Sequence, residues 1–209
     1  MILGSINTIE IGLILTLQKI GAPELKKYEV NLQSGDGKLD LSEFFGGLKF
    51  NNRPLEFEFA YKLNTTLLHT ITGTLHGKKV DIVTEDDPNW VYKGRVAVAE
   101  GERISNTYGQ ILVTCDADPY KYKPQKTVYE RVIGSEGSLL LRMYNDRKPA
   151  IPTITTSGEI TIAYNSITYT VTAGTYTPTN LILGEGYSDY TITGAAGTTI
   201  KVEYQEGAI

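Results

Sequence analysis

Alternation of apolar and polar residues is clearest at Pro54-Leu55-Glu56-Phe57-Glu58-Phe59-Ala60-Tyr61, where Leu55, Phe57, Phe59 and Tyr61 share one face. A period of two predicts a strand with one buried face, leaving Glu56 and Glu58 outside. The same reading predicts strands at residues 9–17, 27–32, 79–83, 90–98 and 110–115. Between Asn64 and Gly77 the period changes. Leu67, Leu68, Ile71 and Leu75 recur at helical spacing, with Asn64 as cap and Gly77 as stop, which predicts one helix. Gly21-Ala22-Pro23 closes the first strand, and Ser34-Gly35-Asp36-Gly37 predicts a turn because glycine accepts positive φ. Asp40-Leu41-Ser42-Glu43 has capping-box spacing, with Glu43 in reach of the Asp40 amide, so a short helical turn is expected before Gly46-Gly47.

Short strands then follow at residues 128–132, 138–144, 153–156, 159–163, 168–172, 180–183, 190–193 and 199–204. Turns are expected at Ser157-Gly158, Ala173-Gly174, Gly184-Glu185-Gly186 and Gly194-Ala195-Ala196-Gly197. Eight strands at that spacing predict a small sandwich. The expected architecture is therefore mainly β, with two β-sandwich-like domains. Residues 1–124 carry the one embedded α-helix, and residues 125–209 form a small C-terminal sandwich. Pro149 and Pro152 bracket a stiff connector.

Composition supports the division. Residues 1–150 carry 19 Lys and Arg against 19 Asp and Glu, so the whole net charge of −4 resides in residues 151–209. That last stretch holds 14 threonines and only six charged residues, a β-branched composition suited to strands. The balance gives no electrostatic reason to expect nucleic-acid binding. No apolar run reaches the length of a membrane span, and Glu10 interrupts an amino terminus that lacks a basic region, so neither a span nor a secretory signal is expected. A lone Cys115 excludes an intramolecular disulfide and fits a reducing compartment.

Candidate chemistry is sparse. His69 and His76 lie seven residues apart on the predicted helix, not at the i, i+4 spacing of helical zinc motifs, and read as flanking a packed stripe. Cys115 sits in a patterned strand as a small hydrophobe would. Glu85-Asp86-Asp87 lacks the alternating ligands of a calcium loop, and Gly35-Asp36-Gly37-Lys38-Leu39-Asp40 reads as a tight turn. Paired carboxylates of glycosidase type depend on the fold and stay open. No enzyme, metal or cofactor is expected. Fourteen tyrosines suit strand filler, interfaces or sugar binding alike.

A set of short motifs nevertheless occurs in a telling order. Ile11-Gly12-Leu13 stands first, then Tyr28-Glu29-Val30, the turn with Gly35 and Gly37, Leu39-Asp40-Leu41 and Phe50-Asn51-Asn52-Arg53. Leu75-His76-Gly77-Lys78 ends the helix, followed by Asp86-Asp87-Pro88, Tyr92-Lys93-Gly94-Arg95-Val96 and Cys115-Asp116-Ala117-Asp118-Pro119-Tyr120-Lys121. Over residues 9–122 this order resembles the distal tail protein family of long, non-contractile-tailed bacteriophages and their prophage relatives. One departure is the Ala117-Asp118 insertion, where family members commonly run Cys-Asp-Pro-Tyr. The resemblance implies a structural virion protein: a homohexameric hub at the tail tip, made in the host bacterial cytoplasm. Its first domain, with a helix and a hairpin arm, would form the ring, and its second would be galectin-like. Implied partners are further copies of itself, the tail tube protein, the tape-measure and tail-associated tip proteins, and a receptor-binding protein. Phage DNA would pass through the ring without sequence-specific contact. The motif positions Gly12, Gly35, Gly37, Asp40, Arg53, His76, Gly77, Gly94, Arg95, Cys115, Asp116, Pro119 and Tyr120 are expected to be structural. Residues 100–108 are expected to form a mobile hairpin tip reaching a neighbouring copy. The alternative from the residues alone is a two-domain carbohydrate-binding adhesin.

Overall fold

The alternating run around Phe57 forms a ten-residue strand, Arg53–Lys62, in which Arg53, Leu55, Phe57, Phe59 and Tyr61 are buried in turn. In the computed structural model, which describes residues 1–209 other than Ser34, Phe45 and Glu100, this strand belongs to the first of two compact units, one place in from the edge of its sheet. The units are Met1–Lys121 and Tyr122–Ile209. The main sheet of the first is antiparallel, in the order Ile6–Asn7, Ile2–Leu3, Lys79–Val83, Tyr92–Val98, Tyr108–Ala117, Arg53–Lys62, Ile14–Ile20. A short strand, Glu102–Arg103, pairs with Tyr108–Ala117.

Leu3 and Ile6, from one end of that order, share a single hydrophobic cluster with Phe57 and Val113, and Ile20 from the other end packs against it. Gln18, on the far edge strand, donates from Nε2 to Asp86 Oδ2 at 2.8 Å, just beyond Lys79–Val83. The sheet therefore bends over itself around one core, as a sandwich does.

The helix, Thr65–Leu75, starts where expected. Asn64 Oδ1 accepts from the Thr66 and Leu67 amides at 3.0 and 3.2 Å, a cap worth about 1 kcal/mol. Ile71 and Leu75 are buried, with Leu67 and Leu68 packed beside them. Gly77, at φ +75°, ends the helical path, and its amide donates to Val96 O.

Several expectations in this unit are corrected. Residues 9–12 are not strand: the chain turns there, with Gly12 at φ +77°, and the strand runs Ile14–Ile20. After Asp40 the chain makes a single turn, the Phe44 amide donating to Leu41 O at 3.0 Å, and not a longer helix. Asp40 Oδ1 accepts the Ser42 amide at 2.8 Å in a local Asx turn. Ser34 of the predicted 34–37 turn and Glu100 of the predicted 100–108 tip lie outside the described residues.

The second unit is a two-layer sandwich. One sheet runs Thr127–Val132, Thr199–Tyr204, Thr153–Thr156, Gly174–Tyr176, and the other Ser138–Asn145, Gly186–Gly194, Ile160–Tyr164, Ile167–Val171. Lettered A to H in chain order, the sheets read A-H-C-F and B-G-D-E, the arrangement of a jelly roll. Its core gathers Leu141, Met143, Ile162, Tyr190, Ile192 and Val202. Threonines pair by hydroxyl contact across strands, Thr155 with Thr175 at 3.0 Å and Thr161 with Thr170 at 2.9 Å, which gives the threonine-rich composition its structural use. Two expectations fail here. Residues 180–183 form only an isolated bridge, Ala150 to Leu183, because Asn145 Nδ2 engages the carbonyls of Leu183 and Gly184. Gly174, Gly186 and Gly194, placed in turns by sequence, are the end residues of strands.

Candidate interaction surfaces

Between Ile14–Ile20 and Arg53–Lys62 the chain leaves the sheet as an arm. Its base is held by Asn51 N to Glu24 O, Lys26 N to Lys49 O and Leu41 N to Tyr28 O, all at 2.7–2.8 Å. Its outer part is a two-stranded ribbon, Glu29–Asn31 against Lys38–Asp40, with Val30 directly opposite Leu39. Alternation puts Tyr28, Val30, Leu32, Leu39 and Leu41 on one face and Glu29, Asn31, Lys38 and Asp40 on the other. Lys38 Nζ pairs with Glu29 Oε2 across the polar face at 2.8 Å. Val30 is 50% exposed, Leu39 49% and Leu32 47%. A two-stranded ribbon is marginal alone, and this one presents its apolar side outward.

The motif positions fall into two groups. Gly12, Gly35 and Gly37 are exposed in turns, Gly37 at φ +87° in the ribbon's loop, and Asp40 is exposed at the end of the ribbon strand Lys38–Asp40. The others gather around the Arg53 end of the sheet, where the arm leaves it. Asp116 pairs with Arg95, and Ala117 lies between Arg53 on one neighbouring strand and Gly94 on the other. A Cβ at Gly94 would lie 2.4 Å from Cys115 Sγ and 2.5 Å from Ala117 Cα, so only glycine fits. The Val98 amide donates to His76 Nδ1 at 3.1 Å, and Arg95 Nη1 donates to Gly77 O, tying the helix end to the sheet. Asp116 Oδ2 accepts from Asn52 Nδ2 at 2.9 Å. The Tyr120 ring meets Phe50 edge-on, one residue after the half-buried Pro119.

Arg53 differs from the rest. It sits in the buried row of its strand, only 5% exposed, with its guanidinium 5.6 Å from the centre of the Tyr92 ring. Among the described residues its buried Nε finds no hydrogen-bond partner, and burial pushes the guanidinium pKa down. Lys121 Nζ pairs with Asp87 Oδ2 at 2.7 Å and stands 5.2 Å from the centre of the Trp90 ring. The sequence carried a signal that was missed: residue 53 has the same parity as 55, 57, 59 and 61.

Cys115 is buried, and burial, reinforced by the Asp116 and Asp118 carboxylates, pushes its thiol up to about 12. Its neutral form is therefore favoured by folding. Over pH 9–12 the unfolded chain releases a proton that the folded chain keeps, so stability is lost as pH rises, by at most about 1.4 kcal/mol per unit. We expect the folded thiol to resist an aromatic disulfide reagent at pH 8. The denaturation midpoint, followed by fluorescence of the single Trp90, should fall between pH 9 and 11, and less steeply in Cys115→Ala. Rapid labelling of the folded chain at pH 8 would contradict this.

Residues 101–109 form a tight hairpin tip. Ser105 Oγ accepts from the Thr107 and Tyr108 amides, and Arg103 Nη2 donates to Asn106 Oδ1. Ile104 and Tyr108 are exposed beside it. Among the described residues no group of three or more His, Cys, Asp or Glu could hold a metal ion, and no helix is long and apolar enough to cross a membrane. His69 is exposed beside a cleft of about 480 Å³ that His76 also lines.

On the second unit, Tyr144 and Tyr187 face outward with ring centroids 5.2 Å apart, and Tyr187 is 70% exposed. Arg142 lies 5.2 Å from the centre of the Tyr187 ring and pairs with Asp189 Oδ1 at 3.0 Å.

These features define a class: a mainly β protein of two units, the first a helix-bearing sheet with an exposed arm, the second a jelly-roll sandwich. The chain is similar in structure to the SPP1 Dit (gp 19.1) protein, described as a paradigm of the hub adsorption apparatus in phages that infect Gram-positive bacteria. The likeness has a TM-score of 0.67 and covers 98% of this chain and 97% of that one, at 13% identity. No family model matches the sequence, and no curated protein does. At this identity the likeness establishes the fold.

Proposed function

We propose that the chain is a structural protein of a phage tail, a hub that assembles as a homohexameric ring at the distal end. There it joins the tail tube to the tip or baseplate and its host-recognition proteins. The observation that carries this reading is the likeness to SPP1 Dit along almost the full length of both chains. The arm supports it independently, because an apolar ribbon held clear of its own core is a surface suited to a neighbouring copy. A ring needs two different complementary patches on each subunit, and an arm reaching to a distant surface supplies one. The balanced charge of residues 1–150 lets such copies approach without net repulsion. In this reading the tube protein, the tape-measure and tail-associated tip proteins and a receptor-binding protein are the partners, and DNA passes through the ring. Light scattering behind size exclusion, with negative-stain imaging, tests it. A species near six chains with a central hole supports the hub. A monomer that stays monomeric with tube protein present overturns it.

A second reading has its own observation. The outward Tyr144–Tyr187 pair beside the Arg142–Asp189 ion pair offers aromatic faces and hydrogen-bonding groups of the kind that hold a sugar ring. Glycan binding by the monomer, lost in Tyr187→Ala, would favour an adhesin.

A further inference from the structure

We infer that Arg53 is the cationic half of a carboxylate-binding site, completed by an acidic group from outside the chain. The argument starts from cost. A buried ion without a counter-charge is strongly destabilising, so chains seldom keep one unless something neutralises it. Arg53 is 95% buried by its 5% exposure, and its Nε has no partner among the described residues. Nor does its own row supply one. Across the sheet Arg53 faces Ala117 and then Gly94, neither of which has a polar side chain. The Tyr92 ring holds the guanidinium by a cation–π contact, which orients the charge and leaves it uncancelled.

Nearby acids are already engaged. Asp87 pairs with Lys121, Asp86 accepts from Gln18, and Asp116 accepts from Asn52 on the opposite face of the sheet. The missing partner must therefore come from elsewhere. A guanidinium presents a planar fork that matches a carboxylate in two hydrogen bonds. One positive charge calls for one negative charge, which a carboxylate supplies without the excess charge of a phosphate dianion. This inference does not depend on the hub reading.

The test compares wild type, Arg53→Met and Arg53→Lys in chloride, acetate and phosphate at matched ionic strength, with unfolding of the first unit followed by Trp90 fluorescence. In chloride, Arg53→Met should raise the midpoint by about 3 °C, because it removes an unpaired buried charge and keeps the packing. Acetate at about 0.1 M should raise the wild-type midpoint by about 3 °C, Arg53→Lys by less and Arg53→Met not at all. A lower midpoint for Arg53→Met in chloride, or an equal acetate effect in all three, overturns the inference. Protection by phosphate as large as by acetate overturns the carboxylate assignment. Mass in solution separates the two sources of the group. An oligomer that shrinks in Arg53→Met points to an acidic side chain on a second copy, whereas unchanged mass with acetate protection points to a small free carboxylate.

Discussion

Gly94→Ala should destabilise the first unit by about 3–4 kcal/mol and lower its thermal midpoint by roughly 10 °C. The added methyl would sit 2.4 Å from Cys115 Sγ, 2.5 Å from Ala117 Cα and 2.6 Å from Asp116 O. Two of those three atoms are backbone of the paired strand, so no side-chain rotation relieves them. The ladder between Tyr92–Val98 and Tyr108–Ala117 must open instead, directly beside Val96 and Val113 in the core. Cys115→Ala in the same chain removes only the sulfur contact, so the double variant should regain little. Gly77→Ala is the contrast. Gly77 has positive φ but open space around its Cβ position, so it should cost only the left-handed penalty, about 1 kcal/mol. Denaturant titration read by Trp90 fluorescence gives all three values. A Gly94→Ala chain as stable as wild type would mean that the strands stand farther apart than described.

Position 94 also illustrates how legible the fold was. The sequence marks it as a glycine inside a strand pattern, and a glycine there signals close approach of another backbone. What approaches it follows from register, which pairs it with Ala117, 23 positions away. The strands with strict alternation, such as Arg53–Lys62 and Thr199–Tyr204, were readable because one buried face dictates the period. Residues 9–12 misled because their apolar side chains continue the alternation while Gly12 turns the chain. Leu181 and Leu183 misled in another way: both are fully buried, yet as plugs held by a bridge and by Asn145, not as members of a ladder.

Interaction surfaces were harder to read than elements. The ribbon's strands were legible, but alternation says only that two faces differ. Whether an apolar face meets the chain's own core depends on where the base of the arm points. Arg53 shows the converse case. Its parity placed it in a buried row, but the absence of an acid beside it is a property of three strands together. Such residues are visible only when burial and pairing are known at once.

The arm carries the second large effect. Replacing the opposed pair in a Val30→Glu, Leu39→Lys chain should leave the monomer folded and dissolve any ring that the arm closes. The two new side chains face each other across a hydrogen-bonded ribbon, so their attraction replaces the lost apolar contact and the hairpin survives. Both positions are about half exposed in the free chain, so neither contributes much to its stability, and the unfolding midpoint should move by less than about 2 °C. At an interface the balance reverses. Burying the remaining half of each wild-type side chain contributes about 1 kcal/mol apiece, and the variant must also desolvate two charges. A weakening of about 10²–10³-fold at each contact follows, and a closed ring multiplies that loss over every contact it contains. Light scattering should then show a shift from the assembled mass to single chains at the same concentration. If the variant keeps the wild-type oligomer, the arm is not what joins the copies, and the exposed Ile104 and Tyr108 at the 101–109 hairpin become the place to substitute next.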